Sequence, residues 1–277
     1  MPRLTPLIPL LQETARYQRD AFASSELDFD TKGVNNFVSD VDRTSQRMIL
    51  QAIRENDPQA GILAEEDGGD QPPSGSERWY VVDPLDGTGN FKARIPIWGI
   101  SVGMIENDAL AEGVIVDSHS GQVWASWEAK PLPKLATQLD QVEVYALDSV
   151  TENRFYPEIA NAKRRQIGAT VLADLLLTQP AFEGRASVDF ALMGNSALWD
   201  IAGPAAFLRQ VGGVFLVDTG AGLHDLTREP ISALCPDGLG SWRHKKLHYV
   251  ASASPELAQA VIDTGYMPKA DGGVSAT

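Results

Sequence analysis

The sequence predicts a mixed α/β protein with at least two sheets. Three observations carry this. Helix-periodic and strand-like segments alternate along the whole chain, strands between Ile97 and Trp127 follow one another directly as a meander, and no long linker or internal repeat divides the 277 residues into independent units. With 43% hydrophobic and 22% charged residues, there is apolar material for one large domain or two closely packed lobes.

Leu7, Leu10, Leu11 and Ala15 recur at near-helical spacing and predict an amphipathic helix running towards Phe22. In DVDRTSQRMILQAIREN, Ile49, Leu50 and Ile53 form an apolar stripe, with Asp40 and Asp42 at the front, where acids suit the helix dipole. GILAEED reads as a strand ending in acids, and the polar stretch 68–77 as a mobile loop. WYVVDPLDGTGNF, Trp79 to Phe91, reads as a strand that ends in an acidic, glycine-rich knot. IWGISVGMI, LAEGVIVDS and QVWASWE follow, separated by Glu106-Asn107-Asp108 and His119-Ser120-Gly121, which predict two hairpins. QVEVYALDSV holds a further strand, and RRQIGATVLADLLLTQ a turn leading into a helix. ASVDFALM is a short strand, followed by a helix from about Asp200 that Gly212-Gly213 stops. VFLVD and HYVASA complete the strands, SPELAQAVIDTG is a helix capped by Ser254, and the tail 269–277 is expected to be disordered.

A formal net charge of −14 argues against nucleic acid and against an anionic membrane surface as partners. An anionic substrate would then need local neutralisation, for which metal ions are the obvious agents. Cys235 is the single cysteine, so no intrachain disulfide forms; it reads as an unreactive thiol, compatible with a cytoplasmic location. The N-terminal MPRLTPLIPLLQETARYQRD lacks the pattern of a signal peptide, and no apolar run approaches the ~18 residues of a membrane span.

Asp42, Glu65-Glu66, Asp83 with Asp86, and Asp200 each fall at the end of a predicted strand or the start of a predicted helix. Acids gathered without basic partners repel one another unless cations join them, and an oxygen-only donor set suits Mg²⁺, Mn²⁺ or Ca²⁺ rather than Zn²⁺. Pro84 fixes its own φ and extends Asp83, so the turn can aim Asp83, Asp86 and the Leu85 carbonyl at one point. Gly87, Thr88 and Gly89 then offer N–H groups at a helix start, an arrangement suited to phosphate. Two other readings stand beside this one. The knot can be an ordinary Asp/Gly turn with Asp42 and Asp200 as caps. The haloacid dehalogenase nucleophile motif also pairs acids ahead of Gly-Thr, but it has one residue between them, where this chain has Pro84 and Leu85.

Taken together, WYVVDPLDGTGNF, the upstream Glu65-Glu66, ALWDIAGPAAFLRQVGG, VSDVDRTSQRMI and RRQIGAT resemble the inositol monophosphatase family over most of the chain. The resemblance implies a layered αβαβα sandwich of the inositol monophosphatase and fructose-1,6-bisphosphatase type. It would be a single domain with lobes at about 1–140 and 141–268, forming a cytoplasmic homodimer. It implies hydrolysis of a small phosphate monoester with two or three Mg²⁺ ions, Mn²⁺ being a substitute, and inhibition by lithium. Carried over by position, Glu65, Asp83 and the Leu85 carbonyl would hold one ion, and Asp83, Asp86 and Asp200 a second, with a weaker third near Glu65. Thr88, paired with Asp42, would orient and deprotonate the attacking water alongside Glu65. Gly87 and Thr88 would face the phosphate, and Gly168, Ala169 and Thr170 the alcohol portion of the substrate.

The chain also departs from the family pattern. Ala64 stands for a usual Gly, Asp67 for a Ser or Thr, and Gly89 for the second Thr of the knot. Inositol-specific members carry a substrate-contacting Glu seven residues before the metal-binding Asp; here that position is Met193, with Asn195 or Asp189 as substitutes only if the loop is rebuilt. Related substrates are therefore a sugar bisphosphate, histidinol phosphate or 3′-phosphoadenosine 5′-phosphate, and a non-enzymatic alternative is a quiet regulatory protein on the same fold. Trp199 reads as core. Of the histidines His119, His224, His244 and His248, the last two have a helical metal spacing inside a basic stretch, Arg243 to Lys246, that reads as a solvated face or a substrate-contacting rim. Lys32 matches a basic position near the family's metal site.

Overall fold

The computed structural model describes residues 1–24, 29–33, 36–67, 70, 77–147, 159, 161–220, 222–235 and 237–265, of which 29–33, 36–39 and 244 are described by backbone alone. Apart from Asp70 and Glu77, the loop expected at 68–77 lies outside the described residues, as do the tail 269–277 and the side chains of Lys32 and His244.

The first half of the chain runs α1 (Ile8–Ala23), β1 (Phe29–Gly33), β2 (Asn36–Ser39), α2 (Asp40–Asn56), β3 (Gly61–Ala64), β4 (Arg78–Asp86), α3 (Thr88–Lys92), β5 (Gly99–Glu106), β6 (Ala109–Asp117) and β7 (Gln122–Ala125). The second half runs β8 (Val144–Leu147), β9 (Lys163–Arg165), α4 (Thr170–Leu175), β10 (Phe190–Ser196), α5 (Leu198–Val211), β11 (Val214–Asp218), β12 (Leu223–Asp225), α6 (Ile231–Leu234), β13 (Leu247–Ser252) and α7 (Pro255–Asp263). One sheet has the order β3-β4-β5-β6-β7, and a second the order β12-β11-β13-β10-β8-β9; β1 and β2 form a separate hairpin.

Side-chain alternation along β4 sets the layers. Tyr80 and Val82 face α1 and α2, packing with Leu11, Ile49 and Ile53. Val81 points the other way, into the core between the sheets, with Leu198, Ile201 and Ala205 of α5 and Phe215 and Tyr249 of the second sheet. The outer face of that sheet is covered by α7 through Leu257, Ala258 and Val261. Helices, sheet, helices, sheet and helix follow in order, which is the αβαβα sandwich expected. Each fully buried valine or leucine contributes roughly 1.5–3 kcal/mol.

Helix α5 lies between the sheets and is buried along almost its whole length. It approaches the first sheet closely: a Cβ at Gly203 would lie 2.2 Å from Ser101 Oγ, and one at Gly113 would lie 2.5 Å from the Gly203 carbonyl. The helix begins at Leu198, two residues before the expected Asp200, because Ala197 is the N-cap and its N–H donates to Asp200 Oδ2 at 2.6 Å. It ends as foreseen at Gly212, whose φ of 83° closes the last turn. Strand β7 stops at Ala125, short of the whole QVWASWE stretch, and Ser126 turns to accept from the Gly113 N–H. Among the described residues, no helix is long and apolar enough to cross a membrane.

Candidate active site

Four chain segments meet at the tip of β4. The strand delivers Asp83 and Asp86, 1% and 8% exposed, at its C-terminal end, where the register with β5 shifts between them. This irregularity follows from Pro84, which cannot donate to the ladder. Parallel to β4, β3 ends at Ala64 and releases Glu65 beside it, the Glu65 N–H still bonded to the Val82 carbonyl. The first turn of α2 supplies Asp42, 1% exposed, and the first turn of α5 supplies Asp200.

The carboxyls are close enough to govern one another. Asp83 is held well above the ordinary carboxylate range by burial, then by the charges of Glu65, Asp86 and Asp200, and it hydrogen-bonds with Glu65. Burial first and Asp200 next push Asp86 up to about 7, against the opposing N–H donors of Val171 and Thr170. Asp200 is pushed up to about 6 by burial, opposed by its bond from Ala197, by the positive charge of Lys246 and by a hydrogen bond with Asp83. Desolvation and like charge each disfavour ionisation, and here they act together.

Backbone N–H groups orient Asp83 and Asp86. Asp83 Oδ1 accepts from the Leu85 N–H at 3.0 Å, and the two oxygens of Asp86 accept from Thr170 N at 3.0 Å and Val171 N at 2.9 Å. Thr170 is therefore engaged through its N–H with Asp86. Thr88 Oγ1 lies 3.0 Å from Asp42 Oδ1 and 3.2 Å from the Leu85 carbonyl. Asp42 is thus more than a helix cap: it reaches the knot.

Gly87 is the N-cap of α3 with φ at 89°, and a Cβ there would stand 3.0 Å from the Ile97 carbonyl and 3.1 Å from Ala169 Cβ. The 168–170 turn therefore packs directly on the knot. Gly168, φ 75°, leaves no room either: its Cβ would meet Asn90 Oδ1 at 2.7 Å. Asn90, not singled out in the sequence, ties the two loops by donating to the Ile97 and Ile167 carbonyls at 3.0 and 2.9 Å. The signal was its place at the end of DGTGN, inside the short helix rather than in the turn.

Gln46 was missed as well. Its side chain donates to the Glu66 carbonyl at 2.9 Å and accepts from the Glu66 N–H at 2.8 Å, fixing the segment after β3. Arg243 grips the same segment from the other side, so its reading as part of a solvated face is corrected: the side chain is only 13% exposed and donates to the carbonyls of Ala64, Glu65 and Glu66. Lys246 is exposed, yet its charge reaches Asp200.

Met193 is 2% exposed and packs in the core between the sheets, while Asn195 is exposed with φ at 60°. Asp189 is spent within the second sheet, accepting from Glu143 N and Val144 N. Trp199 is core, as expected. His248 is buried in β13 while His244 ends a 3-10 helix, so the two do not share one continuous helix face. Burial raises the Cys235 thiol to about 12, which leaves it unreactive. A cavity of about 610 Å³ lies along α2, lined by Arg43, Gln46, Arg47, Glu66 and Asp67, but Asp83, Asp86 and Asp200 do not line it.

In chemistry, the donor set fits a hard divalent cation: carboxylates with one carbonyl, at a buried point where negative charge is costly. Among the described residues, no three His, Cys, Asp or Glu side chains stand ready as a cation cage. The acids are instead turned towards one another and towards backbone donors.

Known proteins share this architecture. A Nus factor SuhB of Haemophilus influenzae is 26% identical over 71% of this chain and 76% of its own length. A fructose-1,6-bisphosphatase/inositol-1-monophosphatase of Aquifex aeolicus is 27% identical over 71% and 78%, and a histidinol-phosphatase of Mycobacterium tuberculosis 28% identical over 70% and 79%. Among solved structures, the extragenic suppressor protein SuhB of Bartonella henselae superposes with a TM-score of 0.73 over 98% of this chain and 99% of that one, at 16% identity. An IMPase/NADP phosphatase complexed with Mg²⁺ and phosphate superposes with a TM-score of 0.67 over 93% and 91%, also at 16% identity. The family model described as the inositol monophosphatase family matches residues 4–256, and the chain belongs to that family and is a phosphatase hydrolase.

Proposed function

We propose that the protein hydrolyses a small phosphate monoester, inositol-phosphate-like in size, with Mg²⁺ held by Glu65, Asp83, Asp86, Asp200 and the Leu85 carbonyl. The observation that carries this reading is the convergence of the acids from β3, β4 and α5 at one buried point, with Asp83, Asp86 and Asp200 all held above the ordinary carboxylate range. Such a cluster is relieved by cations, and the similar fold of the IMPase/NADP phosphatase complexed with Mg²⁺ and phosphate supports that choice.

When bound, the ions would supply Lewis acidity, making a water nucleophilic near neutral pH and stabilising the departing oxygen. The protein's own groups account for the rest. Thr88, fixed between Asp42 and the Leu85 carbonyl, orients the attacking water; as the water gives its proton to the Thr88 hydroxyl, the hydroxyl's own proton passes to the Asp42 carboxylate. Glu65, hydrogen-bonded with Asp83, shares that task. Gly87 lets the backbone approach the phosphate closely, with Thr88 following it. Gly168, Ala169 and Thr170 border the same point and form the wall against the alcohol portion.

A specific observation favours a substrate other than an inositol phosphate. Met193 occupies the position of the inositol-contacting Glu and is buried in the core, so it offers no acceptor to a polyol. Histidinol phosphate, a sugar bisphosphate and 3′-phosphoadenosine 5′-phosphate are the alternatives; relatives named for the first and for fructose 1,6-bisphosphate support the breadth. The two-lobe division near residue 140 belongs to the same proposal, supported by one sheet lying within 61–125 and the other within 144–252. The homodimer rests on the family resemblance. Phosphate release from a panel of these substrates, with and without Mg²⁺, tests the reading; no release from any of them would favour a regulatory protein on the same fold.

A further inference from the structure

Strand β3 ends at Ala64, and the Glu65 N–H makes the last ladder-type bond to β4. Beyond it, the carbonyls of residues 64–66 need partners that the sheet does not provide. Arg243 supplies them from a segment almost 180 positions away: Nη1 donates to the Ala64 carbonyl at 2.8 Å and the Glu65 carbonyl at 3.2 Å, and Nη2 to the Glu66 carbonyl at 3.0 Å. Its Nε pairs with Asp70 at 2.9 Å, so the planar fork is used on several edges at once. The guanidinium carbon lies 5.8 Å from the centre of the Trp199 ring, and Trp199 immediately precedes Asp200. Three residues after Arg243, the charge of Lys246 acts on Asp200 itself. The 3-10 segment Leu239–His244 thus touches the Glu65 side of the acid cluster and the Asp200 side together.

We propose that Arg243 is a positioning residue that holds the Glu65 segment against the Trp199–Asp200 turn and thereby sets the affinity of the acid cluster for divalent cations. This rests on the phosphatase reading above, with Glu65 and Asp200 as ligands. Gln46 anchors Glu66 on the α2 side, so loss of Arg243 frees one side of the segment and leaves the other tethered. Lysine in its place keeps the charge but cannot span three successive carbonyls.

The test uses the full chain with Arg243→Lys and Arg243→Met. Mn²⁺ binding is measured by calorimetry, amide hydrogen exchange over residues 61–67 is followed in the metal-free protein, and Mg²⁺-dependent phosphate release is resolved into kcat and KM. The expected result is a Mn²⁺ Kd raised about tenfold or more and exchange over 61–67 accelerated by a similar factor. The KM for substrate at saturating Mg²⁺ should stay within about twofold, because the clamp does not touch the substrate. Arg243→Met carries the larger effect; if it does not fold, Arg243→Lys is read alone. A Kd and an exchange rate both within twofold of the parent protein would overturn the proposal. A parent chain that neither binds Mn²⁺ nor releases phosphate would sink the phosphatase reading and, with it, the cation half of the proposal. The exchange comparison still decides the clamp in that case.

Discussion

The hydroxyl of Thr88 stands 3.0 Å from the carboxylate of Asp42, joining the first turn of α3 to the first turn of α2 across 46 positions of sequence. Thr88 also contacts the Leu85 carbonyl at 3.2 Å, so its one proton has two acceptors within reach and its lone pairs remain available to a water. Replacing Thr88 by Val keeps the shape and removes this relay. The expected outcome is a kcat lowered by about 10²–10³ with KM changed little, the range of a lost proton-transfer partner. Steady-state phosphate release checks it, and a kcat within threefold of the parent would remove Thr88 from the mechanism.

Asp83 is the acid that others converge on, in hydrogen-bonding relation with both Glu65 and Asp200. Asp83→Asn preserves the shape and the bond from the Leu85 N–H while removing a charge that the proposed ions need. Phosphatase activity should fall to almost nothing, with the circular dichroism spectrum unchanged. Near-normal Mg²⁺-dependent turnover would contradict the assignment of the site.

The same substitution separates charge from fold through pH. Asp83 lies well above its ordinary value of 3.8, Asp86 is held up to about 7 and Asp200 up to about 6. Between about pH 4 and pH 7 the folded protein therefore binds more protons than the unfolded chain, and these groups make the metal-free protein less stable as pH rises through that window. Their contribution is fully present below the unfolded value. In a chelator, Asp83→Asn should melt close to the parent at pH 4.5 and several degrees above it at pH 7.5. A melting difference that stays flat across this range would show that the cluster does not carry the strain assigned to it. Added Mg²⁺ should raise the parent at pH 7.5 much more than the variant.

Gly168 binds the knot to the wall of the site by its shape. With φ at 75° and Asn90 Oδ1 only 2.7 Å from where a Cβ would be, Gly168→Ala incurs both backbone strain and displacement of the Asn90 bridge. A loss of roughly 1–3 kcal/mol in stability is expected. Chemical denaturation of the full chain measures it, and an unchanged midpoint would mean that Asn90 moves without cost.

What could be read from the chain before its fold was known follows a physical line. Val81 and Val82 with the acidic tip of β4 were legible because strand periodicity and turn residues are local, and so were Ser254 as a cap and Gly212 as a stop. The meeting of Asp42 with Thr88 entered only through resemblance, since no local rule brings α2 to α3. Arg243 was misread as a solvated charge: beside Asp70, its partners are three backbone carbonyls from a distant strand end, and backbone acceptors carry no sequence signature. Strands β9 and β12, three residues each, escaped because partners in the sheet, rather than their own residues, make them strands.

Met193 carries the last prediction. Its register partner in β13 is Tyr249, and its side chain joins a cluster with Ala197, Trp199, Ile201 and Leu247. Restoring the family's acid by Met193→Glu would place a carboxylate among these apolar groups, away from water. The expected outcome is a loss of stability of several kcal/mol, or an introduced carboxyl that stays neutral near pH 7, and no gain in hydrolysis of inositol phosphates. The reason is geometric: the exposed position of this stretch is Asn195, whose φ of 60° falls where the register between β10 and β13 shifts, between Met193 and Ser196. An acid placed there, Asn195→Asp, leaves the core intact and should be tolerated within about 0.5 kcal/mol. Comparing the two variants by thermal melting and by phosphate release from inositol phosphates decides the point. A stable Met193→Glu protein with raised inositol phosphatase activity would show that position 193 faces the substrate after all.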